Sequence, residues 1–110
     1  MLNKVMLIGR LGGDPETAHL QSGDAVARFN IATSEVWRES DGTRKEYTEW
    51  HRITVFGRLA GLCSEHLRKG DMVYIEGKLK TRSCKNKDAV DRRVTEVHPN
   101  IIRFLTPKKE

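Results

Sequence analysis

Residues 47–70 read YTEWHRITVFGRLAGLCSEHLRKG, and the hydrophobic period changes in the middle of them. Up to Phe56 the residues alternate: Trp50, Arg52, Thr54 and Phe56 fall on one side of an extended strand and His51, Ile53 and Val55 on the other, because successive strand side chains point to opposite faces. Past Gly57, Leu59, Leu62, Cys63, His66 and Leu67 recur at helical spacing, and Gly70 falls where a left-handed C-terminal cap would close a short amphipathic helix. A strand therefore leads directly into a helix.

Working outward, residues 3–11 are rich in Val, Leu and Ile and predict a first strand, which GGDPE at 12–16 ends in a turn. AVARFNIATSEVW at 25–37 predicts a second strand, long enough to bend. ESDGTR at 39–44 predicts a hairpin turn around Asp41-Gly42 that returns the chain along Tyr47–Phe56. After the helix, MVYIEGKLKTR at 72–82 alternates again, with Val73, Ile75, Leu79 and Thr81 opposite Tyr74, Glu76, Lys78, Lys80 and Arg82. A polar loop over 83–91 precedes a last strand over 92–105, in which Pro99 implies an edge, a bulge or a break. The chain is thus all-β with one short helix. Five strands with the helix between the third and fourth is the order of an OB-fold, a partly open Greek-key barrel that often binds oligonucleotides.

With 110 residues and a hydrophobic fraction of 37%, the chain has material for one modest core, so a single domain over 1–105 with a short basic tail over 106–110 is expected. Twenty Lys and Arg against 15 Asp and Glu, interspersed along the chain, favour a basic surface suited to a polyanion, although ordinary solubilising charge has the same composition. Cys63 and Cys84 have no zinc-site spacing to each other or to His19, His51, His66 and His98, so no metal and no other cofactor is expected. No apolar run approaches the roughly 18–20 residues that span a bilayer, and no membrane partner is expected. MLNKVMLIG is interrupted too soon by Lys4 and Arg10 to be a signal peptide.

The outward side of the Tyr47–Phe56 strand combines rings with a cation, the pairing by which single strands are bound through base stacking and phosphate contact. Trp50 and Phe56 are the candidate platforms, with Arg52 between them and Arg38, Lys45, Lys80 and Arg82 on adjoining strand ends. Pairing across the 39–44 turn would bring Trp37 near the same surface, giving three aromatics on one path. Two rings buried in a core would give the same alternation. A hydrolytic centre on Glu49, His51 or Asp71 lacks a third group to complete it, so no enzyme is expected. An OB-fold adaptor dominated by protein contacts is the other alternative, but it has no need of several rings along a strand.

NKVMLIGRLGGDPE, ATSEVWR, KEYTEWHRITVFGRLA, HLRKGDMVYIEGKLKTR and DRRVTEV, in that order and across about residues 3–105, resemble the bacterial and mitochondrial single-stranded DNA-binding protein family. The resemblance implies an OB-fold that assembles as a homotetramer, a dimer being the alternative. It implies binding and protection of single-stranded DNA with little sequence preference, in replication, recombination and repair, and no catalysis. It implies base stacking by Trp37, Trp50 and Phe56 and phosphate contacts from Arg52, Arg58, Lys69 and Arg82; Lys80, Lys85 and Lys87, on or beyond the fourth strand, are added as DNA-binding candidates by their charge and position. It places His51 and Tyr74 at subunit contacts. The expected location is the bacterial cytoplasm, with the nucleoid, ahead of the mitochondrial matrix.

Two departures stand out. The family usually has a further base-stacking tryptophan where TRSCKNK has Cys84, and a glycine where this chain has Ala89. Phosphate attraction from Lys85, Lys87 and Arg93 would partly replace the missing ring, since counterion release needs cations. Family members also commonly continue into a flexible tail with an acidic, aromatic tip that recruits replication and repair enzymes. This sequence ends in TPKKE; a truncated chain and a short paralogue both fit, and recruitment is left open.

Overall fold

A computed structural model of the chain describes residues 1–85, 87, 88 and 90–106. Its elements run β1 (Val5–Leu11), β2 (Glu16–His19), β3 (Ala25–Arg38), β4 (Arg44–Phe56), α1 (Arg58–His66), β5 (Met72–Lys85) and β6 (Asp91–Phe104). The long alternating runs pair as two antiparallel hairpins, β3 with β4 from Val26–Phe56 to Arg38–Arg44, and β5 with β6 from Val73–Phe104 to Lys85–Asp91. β1 lies antiparallel to β5 and meets β3 at Arg10 and Leu11, while Ile53 of β4 runs parallel beside Val97 of β6. These pairings close β1, β3, β4, β6 and β5 into the five-stranded OB-type barrel that the element order predicts.

The inward side of each strand fills the barrel. Leu11, Phe29, Ile31, Ile53, Val55, Val73, Ile75, Val97 and Ile102 form one buried cluster, joined by Ala60 and Cys63 from α1 and by Leu67 just after it. Burial of a side chain such as Ile53 or Ile75 contributes about 1.5–3 kcal/mol. The same inward phase continues through Leu79 and Thr81 of β5, yet both are exposed, because the β5–β6 hairpin has run past the barrel there. The end of the β3–β4 hairpin likewise carries only exposed residues.

Several expectations need correction. Glu16–His19 is a strand, pairing with Ala25–Arg28 through a turn in which Gly23 N–H donates to the Leu20 carbonyl at 2.8 Å. Gly70 does not cap the helix: α1 ends at His66 and is capped by Leu67, which is extended and donates its N–H to the Cys63 carbonyl at 2.9 Å, and Gly70 sits in the following turn, where Asp71 N–H donates to the Arg68 carbonyl. Leu62, counted on the helix's apolar stripe, is exposed. The loop expected over 83–91 is shorter, since β5 reaches Lys85 and β6 begins at Asp91. Pro99 does mark a bulge: Gly77 pairs with Pro99 and Glu76 with Ile101, and a Cβ on Gly77 would lie 2.4 Å from the His98 carbonyl oxygen. The expectations for Ala89 and for the tail from 107 onward lie outside the described residues.

Candidate nucleic-acid interface

β4 divides as its alternation predicts, with Ile53 and Val55 in the core and Trp50, Arg52 and Phe56 facing out. Trp50 and Phe56 are 56% and 43% exposed, which excludes the reading of both as core rings. The Trp50 ring lies over Gly12, where a Cβ would come within 2.6 Å of it, so the close approach requires a residue with no side chain. Phe56 meets the His98 imidazole edge-on, with ring centroids 5.2 Å apart and planes at 68°. Thr54 shares their phase but is buried, hydrogen-bonded to the Glu96 carboxylate of β6.

Three adjoining clefts follow this face. The first has Trp50 against Gly12, Arg28 and Asn30; the second joins Arg28, Asn30 and Arg52 to Arg82 and Glu96; the third lies between Phe56, His98, Lys4, Lys78 and Lys80. Rings, guanidinium groups and amines thus share one surface, the arrangement that holds a single strand by stacking and phosphate contact. Carboxylates lie among them too: exposed Asp14 and Glu16 at the first cleft, Glu76 at the third, 3.6 Å from the Lys4 amine, and Glu96 at the second, the one of the four that is buried. The Glu96 side chain is 5% exposed, with Oε2 3.2 Å from Arg82 Nε and Oε1 3.2 Å from His98 Nε2. Burial works against its charge, but the hydrogen bonds from His98, Arg82 and Thr54 prevail and hold its pKa below the usual carboxylate value.

Of the residues singled out from sequence, Trp50, Arg52, Phe56, Lys80 and Arg82 come together on this face. Trp37 does not join them. The β3–β4 turn pairs Arg38 with Arg44, so even-numbered residues of β3 share a face with even-numbered residues of β4; Trp37, opposite Lys45, projects from the other side of the ribbon, where its indole N–H donates to Glu39 at 3.3 Å. Arg58 begins α1 and is exposed. Lys69 lies in the loop after the helix, its backbone N–H donating to Asp14 at 2.8 Å. Lys85 ends β5 opposite Asp91, and Lys87 is exposed in the turn beyond.

His51 is half-buried on the opposite phase of β4, its Nε2 2.9 Å from the Thr33 hydroxyl. Tyr74 is half-buried between strands; it pairs with Ile8 of β1, and its hydroxyl donates to Glu76 at 2.9 Å. Sequence reasoning missed Arg28, Asn30, Glu96 and His98. The alternation of AVARFN in β3 signals the first two once β3 is paired with β4, whereas the last two had no local signal. Among the described residues no group of three or more His, Cys, Asp or Glu side chains is placed to hold a metal, and no helix is long and apolar enough to cross a membrane.

Known proteins agree with this geometry. Residues 2–105 match the model of the single-strand binding protein family. The single-stranded DNA-binding proteins of two Neisseria meningitidis strains, of serogroups A and B, are each 43% identical over 109 residues, and the chain spans 63% of their length. Among solved structures, the Plasmodium falciparum SSB in complex with ssDNA superposes with a TM-score of 0.86 at 38% identity, covering 96% of this chain and 97% of that one. A deletion mutant of the single-stranded DNA binding protein from Thermus aquaticus gives 0.81 at 28% identity, covering 96% and 51%. The chain belongs to the single-strand binding protein family.

Proposed function

We propose that this protein binds and protects single-stranded DNA with little sequence preference, in replication, recombination and repair, and that it is not an enzyme. One observation carries the reading: Trp50 and Phe56 stand exposed on the face that also presents Arg28, Arg52, Lys80 and Arg82. Every base has a ring face to stack, so exposed aromatics among cations bind without reading sequence. Titration with oligo-dT should quench tryptophan fluorescence, with a Trp37→Phe variant separating the two indoles. Arg52→Ala should flatten the dependence of log affinity on log salt by up to about 0.7, the value for one phosphate contact on a single strand. No quenching, together with no retention of single strands at low salt, would overturn the proposal.

The same reading includes assembly as a homotetramer with His51 and Tyr74 at the contacts. Its support is on β1, where Met6 and Ile8 are exposed apolar residues on the outer face beside Tyr74, and where β3 pairs only with Arg10 and Leu11. The Val5–Ile8 edge is therefore open to a strand from a second copy. Sedimentation showing a monomer independent of concentration at micromolar levels would refute assembly while leaving DNA binding untouched.

A further inference from the structure

A buried carboxylate is out of place on a surface for a polyanion, since its charge repels the phosphates it would meet. Glu96 is nonetheless held there by three partners that belong to the face: Thr54, Arg82 and His98. Arg82 is bound through Nε, which leaves the terminal N–H donors, the part of a guanidinium that grips a phosphate, uncommitted to Glu96. His98 is bound through Nε2 while its ring braces the edge of Phe56. One carboxylate thereby connects a cation of the phosphate path to a ring of the stacking path.

We propose that Glu96 is a positioning residue of this face, holding the Arg82 guanidinium for a phosphate and, through His98, holding the Phe56 ring for a base. The proposal rests on the reading of the face as the strand-binding one. Its physical content is preorganisation: side chains ordered before the strand arrives do not have to be ordered by it. The sign of one substitution separates this from simple electrostatics. Glu96→Gln keeps the volume and an acceptor oxygen but loses the charge. Electrostatics alone requires tighter binding of the single strand. Positioning requires weaker binding, by about two- to tenfold, the range for leaving one or two side chains to be ordered on association.

The test is the affinity of oligo-dT for the full chain at two salt concentrations. Weaker binding by Glu96→Gln, with a salt slope flattened by up to about 0.7 as the Arg82 contact is lost, is the expected result. Tighter or unchanged binding overturns the proposal. His98→Gln supplies an independent arm, because it keeps a donor toward Glu96 and has no ring to brace Phe56. It should weaken binding in the parent and have no effect in a Phe56→Ala background; equal losses in both backgrounds would overturn the His98 link. If a melting curve shows that Glu96→Gln does not fold, this cycle decides alone. Phe56→Ala and Arg82→Ala that bind like the parent would refute the face assignment, and the proposal with it.

Discussion

Gly12→Ala isolates the seat of the Trp50 ring. A Cβ at this position would lie 2.6 and 2.8 Å from Cζ3 and Cη2 of the indole, whereas carbon atoms rest at about 3.5–4.0 Å, so the ring must withdraw by about 1 Å. Gly12 is not in the left-handed backbone region, so alanine adds no backbone strain, and a ring that is 56% exposed has solvent to move into. The fold should lose no more than about 0.5 kcal/mol, as at an ordinary surface position. Gly77→Ala is the contrast, because its Cβ would meet backbone, 2.4 Å from the His98 oxygen and 2.6 Å from the Pro99 Cα, and should cost about 1–3 kcal/mol or more. If Trp50 stacks on a base, the whole contact is worth about 1–3 kcal/mol, so a displaced ring should forfeit about 1 kcal/mol, roughly a fivefold loss of affinity. Fluorescence titration with oligo-dT and thermal melting read the two effects separately. Parent-like binding by Gly12→Ala, when Trp50→Ala loses the full stack, would show that the seat on Gly12 does not position the ring.

Burial pushes the Cys63 thiol up to about 11 and leaves it inaccessible, so an alkylating agent should modify Cys84 alone in the native protein and both cysteines after denaturation; rapid native labelling of both would contradict the core assignment. Glu96 has a depressed folded pKa, so its contribution to stability should be complete above the ordinary value of 4.5 and disappear as pH falls through the lower folded value. Melting temperatures of the parent and Glu96→Gln should therefore converge only below that pH, and convergence already near neutrality would refute the assignment. Cys84 follows Lys80 and Arg82 at alternate positions of β5, which puts it on their outward side. Cys84→Trp should strengthen single-strand binding by about 1–3 kcal/mol per base engaged at an unchanged salt slope, while Cys84→Ser binds like the parent; equal affinity of all three would remove position 84 from the path.

What the sequence discloses is what has a local period. Ile53 and Val55 against Trp50, Arg52 and Phe56 are separated by alternation alone, and the change of period at Gly57 locates the helix. β2 is hidden because all four residues of ETAH are exposed, so it has no buried phase to detect. Thr54 looks outward by phase and is buried because Glu96 crosses over it from β6, a strand more than 30 residues later that runs parallel beside β4 at Ile53 and Val97. Nearness to the turn brings Trp37 close to the β4 rings, but the face it occupies depends on register, and shifting a pairing by one residue exchanges faces. His98 and Glu96 carry no pattern of their own; closure of the barrel against β4 gives His98 its aromatic partner Phe56 and Glu96 its bond to Thr54, while Arg82 reaches Glu96 across the β5–β6 hairpin and His98 from two residues along β6.

The barrel also distributes the chemistry unevenly, and that distribution bears on the residue at position 84. The outward side of β4 supplies both rings of the face, while the outward side of β5 supplies Lys78, Lys80 and Arg82, with Cys84 after them. Stacking free energy depends little on salt, whereas phosphate contacts release counterions and weaken as salt rises. A cysteine where the outward run of β5 could carry a ring removes stacking but leaves every cation in place. The balance of binding therefore moves toward the salt-sensitive part along the β5–β6 hairpin, while Trp50 and Phe56 on β4 retain the salt-insensitive part. Glu96 lies between the two halves and bonds to a cation of one and to the brace of a ring of the other, so the loss of its charge should be felt in both.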